Sequence, residues 1–150
     1  MEGNYFAYGS NMDPIRMKNR RIDFLDRKKG ILNDYKLVFN KKASSNPKMG
    51  YANIEKELGA IVEGVLYRIK GEDFFKLDHF EGFPKHYTKI DVIIKNDKDE
   101  KIESITYKAQ KDEIQENIKP SKKYIRHLLA AKDVLSKDYY CSLLKIKTID

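Results

Sequence analysis

At 150 residues, with 41% apolar and 11% aromatic side chains, the chain is sized for one folded domain (1–150) and is too rich in core-forming residues to be disordered. Its net charge of +7 divides as +6 over residues 1–50, −3 over 51–120 and +4 over 121–150, with no block of five like charges. Interleaved lysines and acids favour a solvated surface over a nucleic-acid stripe, although the same charge also draws in small anions. The single cysteine, Cys141, excludes a disulfide framework and a Cys-based metal site, and its apolar-periodic surroundings predict a buried, inert thiol. With no signal-peptide core and no run near 18 apolar residues, a soluble cytoplasmic protein without a membrane span is expected.

In chain order, Asn4–Tyr8 is an aromatic run that reads as a buried strand, stopped by the turn-forming Gly9-Ser10-Asn11. Asp13-Pro14 then supplies an N-cap and a first-turn proline for a short helix to about Arg21. Gly30–Asn40 and Gly59–Ile69 read as strands around a polar loop at Lys41–Gly50, and Gly64 suggests a bulge. Phe74, Leu77 and Phe80 at spacing three predict a helix over Asp73–Phe80, closed by Gly82 as a left-handed cap. Tyr87–Ile94 and Ile102–Tyr107 form a hairpin across Asn96–Lys101. Pro120-Ser121 opens a further helix, and Tyr139–Ile146 fits either a last helix or a closing strand. The order of strands and helices points to an α+β fold.

Two segments have chemical potential. At Tyr8-Gly9-Ser10-Asn11 a strand runs through a glycine turn into a helix, which frees backbone amides to face an anion. Ser10 and Asn11 add side-chain donors there, though an ordinary capped turn has the same pattern. The second is Leu77-Asp78-His79-Phe80-Glu81-Gly82-Phe83-Pro84. Here a carboxylate sits at the negative end of a helix between two phenylalanines, and both effects raise its pKa toward that of a useful base. Read alone, Glu81 is better explained as a solvated loop acid. His79, His86 and His127 have neither metal-ligand spacing nor a nucleophile context, so they are expected in solvent and no metal is implied.

Taken together, the segments resemble the gamma-glutamylcyclotransferase family. Tyr5-Phe6-Ala7-Tyr8-Gly9-Ser10-Asn11-Met12 is similar to its N-terminal signature, with Met12 where leucine is more usual. Leu77-Asp78-x-x-Glu81-Gly82 is similar to its catalytic segment. Glu63-Gly64-Val65-Leu66-Tyr67 and Pro120-Ser121-x-x-Tyr124 match its intervening strand and its C-terminal substrate segment. The order and spacing agree over nearly the whole chain.

The resemblance implies a small mixed β-barrel with flanking helices, with a homodimer among the assemblies it allows. It also implies a small-molecule γ-glutamyl substrate that cyclises to 5-oxoproline, with Glu81 as general acid/base and no cofactor. By the same implication Tyr5, Phe6, Ala7, Tyr8, Gly9, Ser10 and Asn11 form the substrate loop, joined by Tyr124 and Tyr87, with Tyr107 nearby. Other readings of the residues stand beside this one: a γ-glutamyl-removing enzyme of a biosynthetic pathway, a non-catalytic ligand-binding module, or a nucleic-acid binder motivated by charge alone.

Overall fold

The computed structural model describes residues 1–150. Five strands, β1 (Glu2–Ala7), β2 (Asp26–Lys42), β3 (Gly50–Lys70), β4 (Tyr87–Lys95) and β5 (Lys101–Ala109), close into a barrel in the order β1-β3-β2-β4-β5. Neighbours are antiparallel except β1 and β5, which meet in parallel at Tyr5 and Ile105, so the barrel is mixed. Four short helices flank it: α1 (Pro14–Asn19), α2 (Asp73–Glu81), α3 (Lys122–Leu129) and α4 (Lys137–Leu144). The fold is α+β, and no helix is long and apolar enough to cross a membrane.

Strand periodicity sorts the core into two layers. Phe6 of β1, Leu32 of β2, Ile54, Val62 and Leu66 of β3, and Ile94 of β4 pack together in a cluster that takes only Tyr8 from outside the strands and fills the barrel. Their neighbours of opposite parity, Tyr5, Ala7, Val65, Tyr67 and Ile69, face outward onto Met17, Leu77, Leu128 and Leu143 of the helices. The segment read as Tyr139–Ile146 is therefore helical, over Lys137–Leu144, with Leu143 covering the outer layer.

The helix starts follow the sequence signals. Asp13 accepts from the Ile15 amide at 2.9 Å, and Ser121 accepts from the Tyr124 amide at 3.1 Å, each relieving an orphan donor of a first turn. Ser136 caps α4 in the same way while its own amide and hydroxyl both donate to Glu63 of the barrel wall.

The long β2–β3 pair departs from expectation. Pairing runs to Lys42 and Gly50, so the polar loop is shorter than its composition suggests, and Tyr51–Leu58 belongs to β3. Gly64 makes no bulge. It pairs in register with Gly30, and a Cβ there would meet the Ala7 carbonyl and the Phe6 ring. The register shifts lie instead between Asn33 and Tyr35 and between Val38 and Lys41. At the first, Asp34 takes a positive φ of 64° and its carboxylate accepts from the Gly59 amide at 3.0 Å.

Candidate active site

The end of β1, the last turn of α2 and the first turn of α3 converge beside the barrel. Beyond Ala7 the chain runs through Tyr8 and Gly9 into a 3-10 turn at Ser10–Met12, anchored by fully buried Met12. The Tyr67 hydroxyl donates to the Asn11 carbonyl at 2.7 Å, and the Tyr8 hydroxyl donates to the Tyr107 carbonyl. Gly82 sits at φ 64°, where its amide and that of Phe83 donate back to the His79 and Asp78 carbonyls and close α2. A Cβ at Gly82 would also lie 2.5 Å from the His86 ring, so glycine is required for both shape and space. This closure directs Glu81, the last residue of α2, into the pocket rather than into solvent.

Asn11 is the hub of the site. It is 2% exposed, and its Nδ2 donates to Glu81 Oε1 at 3.2 Å and to the Tyr5 hydroxyl at 3.1 Å. Its Oδ1 accepts from Arg20 at 2.9 Å. Arginine only donates, so this contact fixes which way the amide faces and hence its donation to Glu81. The Glu81 side chain keeps a partial opening to the cleft, yet its carboxyl is enclosed by protein and burial pushes its pKa from 4.5 to about 7. Arg20, Arg16 and Lys41 oppose that rise without cancelling it. Phe80 and Phe83, expected to enclose the acid, are 44% and 37% exposed and neither lines the inner pocket, Phe80 lying along the outer cleft; tyrosines do the enclosing.

Those tyrosines are Tyr5, Tyr8, Tyr87, Tyr107 and Tyr124, which line a small inner pocket of about 30 Å³ with Glu81. Burial first, then the Glu81 charge among lesser causes, holds the Tyr5 and Tyr8 phenols well above their ordinary range, so they act as neutral hydrogen-bonding groups. Tyr124 and Tyr87 are bound to one residue, Ala52: its amide donates to the Tyr124 hydroxyl at 3.1 Å and its carbonyl accepts from Tyr87 at 2.8 Å. The Ser10 amide also faces the Tyr124 hydroxyl. Asp78, the other acid of the segment, has both oxygens occupied, one by the Tyr107 hydroxyl and one by Lys89 at 3.0 Å. Glu81 is therefore the one carboxylate that lines this pocket.

Beyond Glu81 the pocket opens into an outer cleft of about 470 Å³, lined by Arg16, Arg20, Lys41, Tyr51, His79 and His86 among others. Lys41 is almost fully buried and is held by Glu113 at 3.2 Å, with its ammonium over the Tyr87 ring at 5.7 Å.

Of the residues named from sequence, Tyr5, Tyr8, Gly9, Ser10, Asn11, Glu81, Tyr87 and Tyr124 line the inner pocket together. Phe6 and Ala7 do not: Phe6 points into the barrel and Ala7 lies in the layer under the helices, because strand alternation allows only some of β1 to face the site. Of the histidines only His79 is exposed. His86 pairs with Glu113 at 2.8 Å and His127 with Asp13 at 2.9 Å, each half-buried against its acid. Cys141 is likewise only partly buried. No three His, Cys, Asp or Glu side chains converge in a metal-binding group. Sequence reasoning missed Ala52, Thr106, Arg16, Arg20 and Lys41. The basic i, i+4 pair formed by Arg16 of α1 and its C-cap Arg20 was the one available hint, and Ala52 had none.

The model of the AIG2-like family matches residues 61–143, a stretch that holds Glu81, Tyr87, Tyr107 and Tyr124. No curated protein sequence matches the chain. Among solved structures, one described as a gamma-glutamyl cyclotransferase is 26% identical and superposes with a TM-score of 0.88 over 100% of this chain and 90% of that one. An uncharacterized protein from Homo sapiens is also 26% identical, with a TM-score of 0.85 over 99% of this chain and 90% of its own. A gamma-glutamyl cyclotransferase specific to glutathione from yeast, 12% identical, shares the fold with a TM-score of 0.67 over 96% and 94% of the two chains.

Proposed function

Because the chain belongs to the AIG2-like family, we propose that it is a cyclotransferase acting on γ-glutamyl compounds, with Glu81 as the acid/base group. The observation that carries this reading is the Glu81 carboxyl itself. It is enclosed by tyrosines, oriented by Asn11, and poised at about 7, where a carboxylate is basic enough to take a proton yet acidic enough to return it. The likeness at 26% identity to a solved gamma-glutamyl cyclotransferase supports the same conclusion.

The chemistry follows from placing a γ-glutamyl amide beside that carboxyl. Its α-ammonium is not nucleophilic until Glu81 removes a proton. The freed amine attacks the γ-carbon of the same glutamyl group, and ring closure is already intramolecular, so holding the chain folded supplies much of the orientation. The tetrahedral intermediate carries negative charge on the former carbonyl oxygen. The Tyr5 and Tyr124 hydroxyls, which accept from Asn11 and from the Ala52 amide and keep their own protons unspent, are donors suited to that charge. Collapse breaks the bond to the departing amine, to which Glu81 returns the first proton; the second proton of the attacking nitrogen follows through the same carboxylate, so the ring is left as a neutral lactam and the amine departs as its ammonium. The products are 5-oxoproline and a free amine, and the reaction consumes no water or cofactor.

The test is a panel of γ-glutamyl dipeptides and amines assayed for 5-oxoproline. Release from at least one, with kcat/KM climbing to a plateau above pH 7, supports the reading. No release from any member, with binding of one retained, would instead identify a non-catalytic ligand-binding module.

A further inference from the structure

The hydroxyls of the inner pocket differ in where their protons go. Tyr5 and Tyr124 accept from N–H donors, so each keeps its own proton for a ligand. Four others have spent theirs: Tyr8 donates to the Tyr107 carbonyl, Tyr87 to the Ala52 carbonyl, Thr106 to the Phe6 carbonyl and Tyr107 to Asp78. All six line the pocket with Glu81. What the second group can offer a ligand is a lone pair. Burial holds each of the five phenols above its ordinary range, so they stay neutral and this division into donors and acceptors persists.

Three of the four acceptors are set by backbone carbonyls, which can only accept. Tyr107 alone is set by a side chain. Asp78 lies three residues before Glu81 on α2 and does not line the pocket itself. Its second oxygen accepts from Lys89 at 3.0 Å, and that ammonium is in turn held over the Phe83 ring at 4.5 Å. An ammonium only donates, so Asp78 meets one donor on each oxygen, and the Tyr107 proton is committed to it.

We propose that Asp78 is a positioning residue: by holding the Tyr107 proton it makes Tyr107, together with Tyr8 and Tyr87, an acceptor for the α-ammonium of the γ-glutamyl group. The inference rests on the cyclotransferase reading. In that reaction the ammonium must sit beside Glu81 with its N–H bonds directed before the first is lost. It presents three donors, and Glu81, already engaged by Asn11, cannot satisfy them all. The spent hydroxyls supply the remaining acceptors and so aim the nitrogen at the γ-carbon. A phenol proton turned toward the ammonium would instead leave a donor facing a donor, a desolvated mismatch.

Asp78→Asn reverses this polarity. Lys89 can face only the amide oxygen, so the amide nitrogen is turned to Tyr107, whose own proton must then go elsewhere. The probes are L-glutamate and glutarate, which differ only in the α-ammonium. They are read as competitive inhibitors of 5-oxoproline release from γ-glutamyl-alanine, or by calorimetry for a variant without turnover. The unmodified protein should bind L-glutamate more tightly. In Asp78→Asn that preference should fall by about 10-fold or more, the scale of one hydrogen bond to a charged group, while glutarate binding changes by less than about threefold. Tyr107→Phe should also lower the preference, and Asp78→Asn added to it should lower it no further. Thermal melting checks that each variant is folded. Equal binding of the two probes by the unmodified protein, or none of L-glutamate, would overturn the acceptor set and needs no variant to fold. A preference that survives Asp78→Asn, or equal weakening of both probes, would overturn the role of Asp78 and leave it a structural tie between α2 and the barrel. Neither result touches cyclotransfer, which 5-oxoproline release by the unmodified protein reports separately. Failure of every γ-glutamyl compound to release it would remove that reading and the role of Asp78 with it.

Discussion

Glu81→Gln separates the chemical role of the acid from its structural cost. Holding the carboxyl at about 7 rather than 4.5 corresponds to about 3 kcal/mol in favour of its neutral form. In the folded protein the proton stays bound up to about pH 7, while in the unfolded chain it leaves near 4.5. Between those values the folded state binds more protons, so stability falls as pH rises, and above pH 7 the full penalty is present. Glutamine carries no charge to desolvate, and its Oε1 still accepts from Asn11. The variant should therefore melt close to the parent at pH 4 and above it at pH 8, by up to roughly 6–12 °C for a domain of this size. In the same protein kcat/KM for 5-oxoproline release should fall by about 10²–10⁴-fold, since the group that moves the proton is gone. The assay is circular dichroism melting at pH 4, 6 and 8 alongside steady-state kinetics. A melting difference that does not grow with pH would refute the desolvated acid, and near-parent turnover would refute its role as base. A more stable but inactive protein is the signature of a site that trades stability for function.

Tyr124→Phe removes the hydroxyl that accepts from the Ala52 amide and faces the Ser10 amide, and should lower kcat/KM by about 5–30-fold, measured on the same dipeptide. Gly9→Val places a branched Cβ about 3.0 Å from the Tyr124 hydroxyl and 3.1 Å from the Ala52 Cβ, so activity should be lost in a protein that still melts cooperatively; a fully active variant would make the turn a purely structural one. For the parent, kcat/KM plotted against pH should rise through an apparent pKa near 7 as Glu81 ionises; a profile flat from pH 5 to 8 would assign the base elsewhere.

The parts of the site legible in the sequence are those built locally. Asp13 before Pro14, Ser121 before α3 and Gly82 after α2 each solve a helix-end problem within a few residues, and each stands where its chemistry predicts. Glu81 was singled out by the resemblance of Leu77-Asp78-x-x-Glu81-Gly82 to a family segment, and the cap at Gly82 explains how that position reaches the pocket. Non-local pairing hid the rest. Ala52 enters the site because β3 begins at Gly50, and nothing in Tyr51–Leu58 alternates strongly enough to announce a strand. The source of Glu81 burial was misread because Phe80 and Phe83 neighbour it in sequence, while the tyrosines that enclose it come from β1, β4, β5 and α3. Asn11 looked like a donor to an anion and is instead spent on Tyr5, Arg20 and Glu81.

Cyclotransfer and hydrolysis both break a γ-glutamyl amide, and they differ in the fate of one oxygen. When the substrate's own amine attacks, the γ-carbonyl oxygen stays in the ring and water contributes nothing; when water attacks, its oxygen enters the new carboxylate of glutamate. Turnover of a γ-glutamyl dipeptide in ¹⁸O-water, followed by mass spectrometry of the earliest product, reads that fate directly. A Glu81 that carries protons from the attacking nitrogen to the departing one predicts unlabelled 5-oxoproline, whereas singly labelled glutamate as the first product would contradict it.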